Sequence, residues 1–422
     1  DLPAVGPGGK PTGRTCRAYS EESRKLARAL MAVYRAGDAT GKPFIFPRPI
    51  IHITDEFFRT PGHEEFLEEA CGVAASKGNP CFVFDREGGT PLAACGCLDF
   101  GETDAAGVCE EPWRRRCASI QNITINLPRL GYRAGNDEGK LFALLDEVLA
   151  LAAKAHVQKR DFIEKLLSLG DAGPLAMLAM QNDGAPYLHL KRSTFLIGVV
   201  GLNELVQIVR GRQLHESDEA LALGLAVIGH VQEKIDSFSK ILQMRFVLEQ
   251  TPAETTAYRF ARLDLKHFSP LPGRYVRGDL AQGEIYYTNS AHLSPAAPVD
   301  PLTRARAEGL FHPFFRAGAV THVELGAAEP PAALLAGFLI RIFRETHNNQ
   351  IVFSPEFTSC ASCGATSRGL VQKCMHCGTE EVDGLARITQ YVSRVSGWNR
   401  GKRAELRDRN RNEGSFPAGN RP

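Results

Sequence analysis

The stretch CASCGATSRGLVQKCMHC, residues 360–377, constrains the fold of this chain more than any other. Cys360, Cys363, Cys374 and Cys377 follow the spacing C-x2-C-x10-C-x2-C. Each C-x2-C knuckle aims two thiolates at one tetrahedral ion, and Gly364 and Gly378 supply the tight backbone that a knuckle needs. Two such hairpins on one short ribbon favour zinc over an iron–sulfur cluster. His376, inside the second knuckle, reads as a bystander. The residues between the pairs include two basic side chains and no aromatic one, which argues against nucleic-acid binding by a bare ribbon. The segment after Gly378 follows the cluster with almost no spacer and has no cysteine of its own.

The remaining composition narrows the class. With 422 residues, 43% of them hydrophobic, the chain can bury either one barrel-sized core or two smaller ones. A net charge of +2 gives no global basic field for nucleic acid. No apolar run is long enough to span a membrane. The Gly/Pro-rich start has no signal-peptide core, and without an initiator Met it reads as the start of a fragment or a processed product. The cysteines number eleven, an odd count at irregular spacing. That pattern fits a reducing cytoplasm rather than a secreted disulfide framework.

Along the chain, residues 20–37 predict a helix with a stripe of Leu26, Leu30, Val33 and Tyr34 and a C-cap at Gly37. Residues 43–54 are β-rich but interrupted by Pro47 and Pro49, which suits a bend or a sheet edge. Residues 80–85 read as a buried strand and 86–118 as a long functional loop. Residues 119–130 alternate. Ile123, Ile125 and Leu127 face one way, and Asn122, Thr124 and Asn126 share the other face, which is either a catalytic surface or simply a solvated one. Helices are expected at about 137–156, 158–169, 216–248, 252–262 and 331–347, with β segments at 283–288 and 320–325. There is no internal repeat. Strands alternating with helices give an α/β architecture.

Several stretches together are familiar. They are FIFPRPIIHIT (44–54), NITINLPRLGY (122–132), GVVGLNELV (198–206), LHESDEA (214–220) and LEQTPAETTAYRFARLD (248–264). YYTNSAHL (286–293), GLFHPFF (309–315), THVELG (321–326), FSPEFTSCASCG (353–364) and VSGWNRGKRAELRDR (395–409) follow. In this order the chain resembles the anaerobic, class III ribonucleoside-triphosphate reductases, a glycyl radical enzyme family. The resemblance implies a ten-stranded α/β barrel of the glycyl-radical type with a C-terminal zinc ribbon and radical loop. It divides the chain into a flexible lead (1–15), the barrel (16–350), the ribbon (351–380), the radical-type loop (381–400) and a charged, disordered tail (401–422). It implies reduction of ribonucleoside triphosphates to deoxyribonucleoside triphosphates for DNA synthesis. In the family a radical-SAM activating protein, using S-adenosylmethionine and an iron–sulfur cluster, installs a glycyl radical. That radical oxidises a finger-loop cysteine to a thiyl, and formate or a thiol system supplies the electrons. A homodimer is implied, with no membrane and no nucleic-acid partner.

Residue by residue, Cys95 or Cys97 matches the thiyl position, with Cys97 preferred because Leu98 follows it; both are otherwise small loop cysteines without a role. In TPAETT, Thr251, Ala253, Glu254, Thr255 and Thr256 precede a helix, whose free N–H groups suit a phosphate. The bland alternative is a Pro-initiated cap with Glu254 favouring the helix dipole. The family favours substrate phosphate. Asn126 is a ligand for substrate or formate, or else a satisfied interior asparagine; Asn289 and Ser290 are similar candidates. Three departures stand out. No motif matches the family's ATP-cone or first barrel strands, so the barrel is expected to be incomplete at its N-terminus. The cysteine loop, LAACGCLDF, is unusual. In RITQYV (387–392), Gln390 occupies the place of the radical glycine, and Gly397 is not the matching position. The alternative reading is a non-catalytic or truncated relative that keeps fold and zinc site.

Overall fold

The structure, a computed structural model, describes residues 3–6, 10–86, 118–182 and 185–411. Its centre is built from two sheets. Ser119–Asn126, Thr194–Val200 and Arg245–Glu249 form a parallel three-stranded sheet with Thr194–Val200 in the middle. Helices return the chain between these strands: Leu127–Ala134 and Glu138–Leu167, then Leu202–Arg210 and Asp218–Leu242. The second sheet has the order Thr321–Gly326, Gln350–Pro355, Cys81–Phe84, Ile50–Ile53. Its outer pairs are parallel and the two pairs meet antiparallel.

Period-2 alternation gives each sheet one apolar and one polar face. Ile125, Phe195, Ile197, Val199, Phe246 and Leu248 point into the core formed with the helices. In the other sheet Ile53, Phe82, Phe84, Val323, Leu325, Ile351 and Phe353 do the same. The opposite faces therefore carry Asn122, Thr124, Asn126, Gly198, Glu249, His322 and Glu324. Among the described residues the ladders form these separate sheets, small hairpins and the ribbon, not one closed ring.

Several expectations change in detail. The alternating strand stops at Asn126 rather than 130, because the Asn126 side chain caps the next helix and Pro128 occupies its first turn. The two helices expected at 137–156 and 158–169 are one 30-residue helix. The helix expected to reach 248 ends at Leu242, where Gln243 turns left-handed (φ 51°) and starts the Arg245–Glu249 strand. In the helix Ser20–Ala36 it is Met31 and Tyr34 that are buried. Leu26, Leu30 and Val33 are exposed, because the helix packs through a narrower face than the stripe suggested. The Ile50–Ile53 strand lies at a sheet edge, as its prolines require.

The C-terminal charges behave differently from a disordered tail. Residues Arg400–Asp408 form a helix capped by the Asn399 side chain, which accepts from the Lys402 N–H at 2.9 Å. Its Gly401 lies so close to the Ile285 carbonyl that a Cβ would come within 2.5 Å of that oxygen. Lys402, Glu405 and Arg409 are buried. Lys402 pairs with Glu405 at 2.6 Å; Arg409 reaches Glu405 at 3.2 Å and Glu324 at 3.5 Å. Arg411 holds Glu356 at 2.9 Å. Buried charges that find partners order a segment whose composition alone reads as solvated. Residues 412–422 lie outside the described residues. Arg409→Met should leave Glu405 and Glu324 short of a counter-charge and lower stability by about 3–5 kcal/mol. Urea unfolding measures this, and a loss below about 1 kcal/mol would contradict the network's role.

Candidate active site and metal centre

The polar face of the three-stranded sheet is pre-shaped by one glycine. Thr124, Gly198 and Glu249 stand in one cross-strand row. A Cβ at Gly198 would run into Thr251 Oγ1 and come within 3.0 Å of the Asn122 amide nitrogen. Glycine there lets the loop after the strand fold back over the sheet, so that Thr251 and Asn122 meet at 3.5 Å. Thr124 donates to Asn122 at 3.2 Å. Glu249 was missed by sequence reasoning, although it lies in the quoted motif LEQTPAETT. Burial pushes its carboxyl up to about 7, so it exchanges protons near neutrality.

The 251–256 loop is held in an unusual backbone. Ala253 has φ 55°, a left-handed conformation that costs a non-glycine residue free energy. Thr255 precedes the helix Thr256–Phe268 without capping it through its side chain, and of the first-turn N–H groups that of Ala257 donates to the Ala253 carbonyl at 3.4 Å. Glu254 does not turn toward this helix end. Its carboxylate accepts from Thr389 Oγ1 at 3.0 Å and from the Tyr391 hydroxyl at 3.2 Å. Its backbone carbonyl accepts from the Asn399 side chain at 2.8 Å. The structure thus seats the 388–391 turn, which carries Gln390, on the loop that the sequence marked for phosphate.

Asn126 makes two side-chain hydrogen bonds. Its amide donates to Asp264 at 2.9 Å and its oxygen accepts from the Arg129 N–H at 3.3 Å. The Tyr287 hydroxyl also donates to Asp264, at 3.1 Å, and lies 3.1 Å from the Tyr132 hydroxyl. This is the interior arrangement that the sequence held open beside a ligand role. Asn289 and Ser290 each keep a buried side-chain oxygen without a partner. Asn289 lines a polar cavity of about 60 Å³ with His292, Glu308, His322, Glu324 and Arg409. Burial works to raise the Glu308 carboxyl, but His292 and Arg304 prevail and hold it at about 2. Cys95 and Cys97 lie outside the described residues.

The four-thiol cluster forms as its spacing requires. Cys360 and Cys377 Sγ are 3.6 Å apart, as are Cys363 and Cys374, and all four sulfurs lie within 4.8 Å of one another. Tetrahedral zinc with Zn–S bonds of about 2.3 Å asks for sulfurs about 3.8 Å apart, so the four cysteines fit that ion. Gly364 and Gly378 are left-handed (φ 75° and 77°), and His376 is not part of the cluster. Backbone N–H groups of Cys377 and His376 pull the Cys374 thiol down to about 6, which favours the thiolate. The ribbon strands Phe357–Cys360, Thr366–Arg368, Val382–Arg387 and Val392–Arg394 run antiparallel, and the 388–391 turn is the hairpin between the last two. Arg368 fastens the ribbon to the body by donating to the carbonyls of Ala75 (2.7 Å) and Ala328. The protein as purified should carry about one zinc per chain. Cys360→Ser should abolish it and open residues 380–400 to proteolysis; iron and sulfide in place of zinc, or an unchanged digest, would contradict this.

The family model described as anaerobic ribonucleoside-triphosphate reductase matches residues 9–411. The anaerobic ribonucleoside-triphosphate reductase of Salmonella typhimurium is 26% identical over 317 residues, covering 70% of this chain and 43% of that protein. This chain thus spans less than half the length of that relative. A solved anaerobic ribonucleotide reductase superposes with a TM-score of 0.73 at 19% identity, covering 96% of this chain and 61% of that one. The Thermotoga maritima enzyme solved with dATP and CTP gives 0.70 at 19% identity, covering 96% and 62%. These solved structures share the α/β fold just described. With its family model matched from residue 9 to residue 411, the chain belongs to the anaerobic ribonucleoside-triphosphate reductase family.

Proposed function

We propose that this chain carries the substrate-reducing site of an anaerobic ribonucleotide reductase, acting on ribonucleoside triphosphates. The two central sheets are then the described part of a ten-stranded barrel. One observation carries the reading. The turn bearing residue 390 is latched by Glu254 to the 251–256 loop, and that loop lies over the polar face of Asn122, Thr124 and Glu249. A phosphate cradle, an acid–base carboxyl and a radical-type turn meet there. A relative was solved with dATP and CTP, which suits a nucleotide ligand.

In this reading the free N–H groups at the start of the Thr256–Phe268 helix hold the triphosphate, with Thr251 and Thr255 around it. The sugar then lies toward the sheet. Glu249 takes a proton from one ribose hydroxyl and returns it to the hydroxyl that leaves as water. A carboxyl balanced near neutral pH suits both directions. A thiyl at Cys97 or Cys95 would abstract the ribose 3′ hydrogen and later return it. Formate leaving as carbon dioxide, or a dithiol leaving as a disulfide, would supply the two electrons. Zinc, held by Cys360, Cys363, Cys374 and Cys377, supports the turn and takes no part in the chemistry. An S-adenosylmethionine-dependent activating protein and a second copy of the chain are the proposed partners, in a cytoplasmic setting. Among the described residues no helix is long and apolar enough to cross a membrane.

Two measurements follow. In the Gln390→Gly background, Glu249→Gln should lower kcat by about 10²–10⁴-fold, the usual range for lost acid–base catalysis. It should also stabilise the fold. The wild-type carboxyl has a folded pKa of about 7, above its unfolded value of 4.5. Folding is therefore opposed increasingly as pH rises from about 4.5 to 7, and fully above that. At pH 8 the variant should gain roughly 1–3 kcal/mol in urea unfolding, and at pH 4 almost nothing. A stability gain equal at both pH values would exclude the raised pKa. The second concerns Gln390. A backbone radical at Cα delocalises best when no side chain hinders planarity. The unaltered chain, with a cognate activating protein, should show no glycyl-type doublet in electron paramagnetic resonance, whereas Gln390→Gly should. A doublet from the unaltered chain would overturn the assignment of position 390.

A further inference from the structure

The mechanism leaves one buried cation unexplained. Arg387, at the end of the Val382–Arg387 strand, is 1% exposed, yet among the described residues no carboxylate lies within ion-pairing distance of it. Its Nε has no hydrogen-bond partner. One of its terminal nitrogens donates to the Gly78 carbonyl, and Nη1 donates to the backbone carbonyl of Gln390 at 2.6 Å. Arg48 comes from a distant part of the chain, just before the Ile50–Ile53 strand, and its Nη1 donates to that same oxygen at 2.7 Å. Two guanidinium groups thus converge on one peptide carbonyl. The arrangement opposes two elementary tendencies. A desolvated guanidinium normally takes a carboxylate. Two like charges normally separate; here burial first, and Arg48 after it, work against the charged form of Arg387, while Glu324 favours it. A simple hairpin turn needs neither cation, because the Ile388 N–H already closes this one on the Tyr391 carbonyl at 3.0 Å.

We propose that Arg48 and Arg387 form a two-cation clamp that polarises the backbone carbonyl of residue 390, the peptide carbonyl conjugated with the α-carbon at the radical position. Charge-assisted donors stabilise a carbonyl oxygen that carries extra electron density, and two of them in a water-poor site act as a preorganised positive cradle. Electron density and spin at the 390 α-carbon are drawn toward that oxygen. The clamp acts on the backbone, so it is set whichever side chain residue 390 carries. Both arginines are positioning residues. The importance of residue 390 rests on the function proposed above; the clamp itself does not.

The test reads the carbonyl directly. Gln390–Tyr391 is the one Gln–Tyr pair in the chain. Labelling with carbonyl-¹³C glutamine and ¹⁵N tyrosine therefore gives a single carbonyl-to-amide correlation, from the resting full chain without nucleotide or activating protein. Arg48→Gln, at a half-exposed position that folding should tolerate, is expected to move the ¹³C resonance upfield, and Arg48→Lys should keep most of the wild-type shift. Arg387→Lys is the matching variant at the buried site. A resonance unmoved in Arg48→Gln, with the rest of the spectrum intact, would overturn the clamp. In the Gln390→Gly background, adding Arg48→Gln should widen the glycyl doublet, because less spin leaves the α-carbon. An unchanged splitting beside a shifted carbonyl would reduce the arginines to structural supports and overturn the electronic role. If no doublet forms in any Gln390→Gly chain, the proposed function fails while an upfield carbonyl shift still supports the clamp.

Discussion

A buried guanidinium must find oxygen, and the C-terminal quarter of this chain is assembled around that requirement. Arg368 ties the ribbon to the carbonyls of Ala75 and Ala328. Arg387 bridges Gly78 and Gln390. Arg409 spans Glu405, Glu324 and the Arg387 carbonyl, and Arg411 closes on Glu356. Each cation joins the late segment to an element laid down earlier. Removing any one leaves carbonyls or carboxylates buried without donors, and that penalty exceeds the net worth of the bond itself. The four-cysteine cluster, which could hold a metal ion, adds a second anchor beside the start of the Val382–Arg387 strand. The 388–391 turn is therefore fixed from both sides: by thiolates behind it and by arginines and Glu254 around it.

The site depends on this fixation because its parts come from unconnected pieces of sequence. Glu249 belongs to a sheet edge, the 251–256 loop follows it, and the turn arrives about 140 residues later. Gly198 makes the first two compatible. It removes the one side chain that would keep Thr251 off the sheet. Glu254 makes the last two compatible, since one residue supplies a carboxylate to Thr389 and Tyr391 and a carbonyl to Asn399. The start of the Thr256–Phe268 helix lies within two residues of this latch.

Much of this was legible in the sequence where the signal is local. Cysteine spacing located the metal cluster, the prolines around Arg48 marked an edge strand, and Gly37 marked a helix end. Non-local features were not legible. Thr194–Val200 is buried along its whole length, so it shows no alternation to identify it as a strand. Arg400–Asp408 reads as solvated because its buried partners, Glu324 and the Ile285 carbonyl, are far away in sequence. Glu249 carries no motif signal beyond its neighbours; its raised pKa is a product of burial alone. The sequence left Asn126 open between a ligand role and an interior one, and its bond to Asp264 comes from a helix 138 residues on.

Position 390 separates shape from chemistry. Sixteen glycines of the described chain adopt a positive φ, and Gln390 is not among the three non-glycine residues that do. The turn therefore keeps its form without glycine, and its anchors explain why. Arg48 and Arg387 hold the carbonyl of residue 390, and Glu254 holds the side chains on either side of it, so these anchors act without the 390 side chain. A glutamine thus occupies the turn while the Glu254 contacts, the two arginine bonds and the ribbon remain intact.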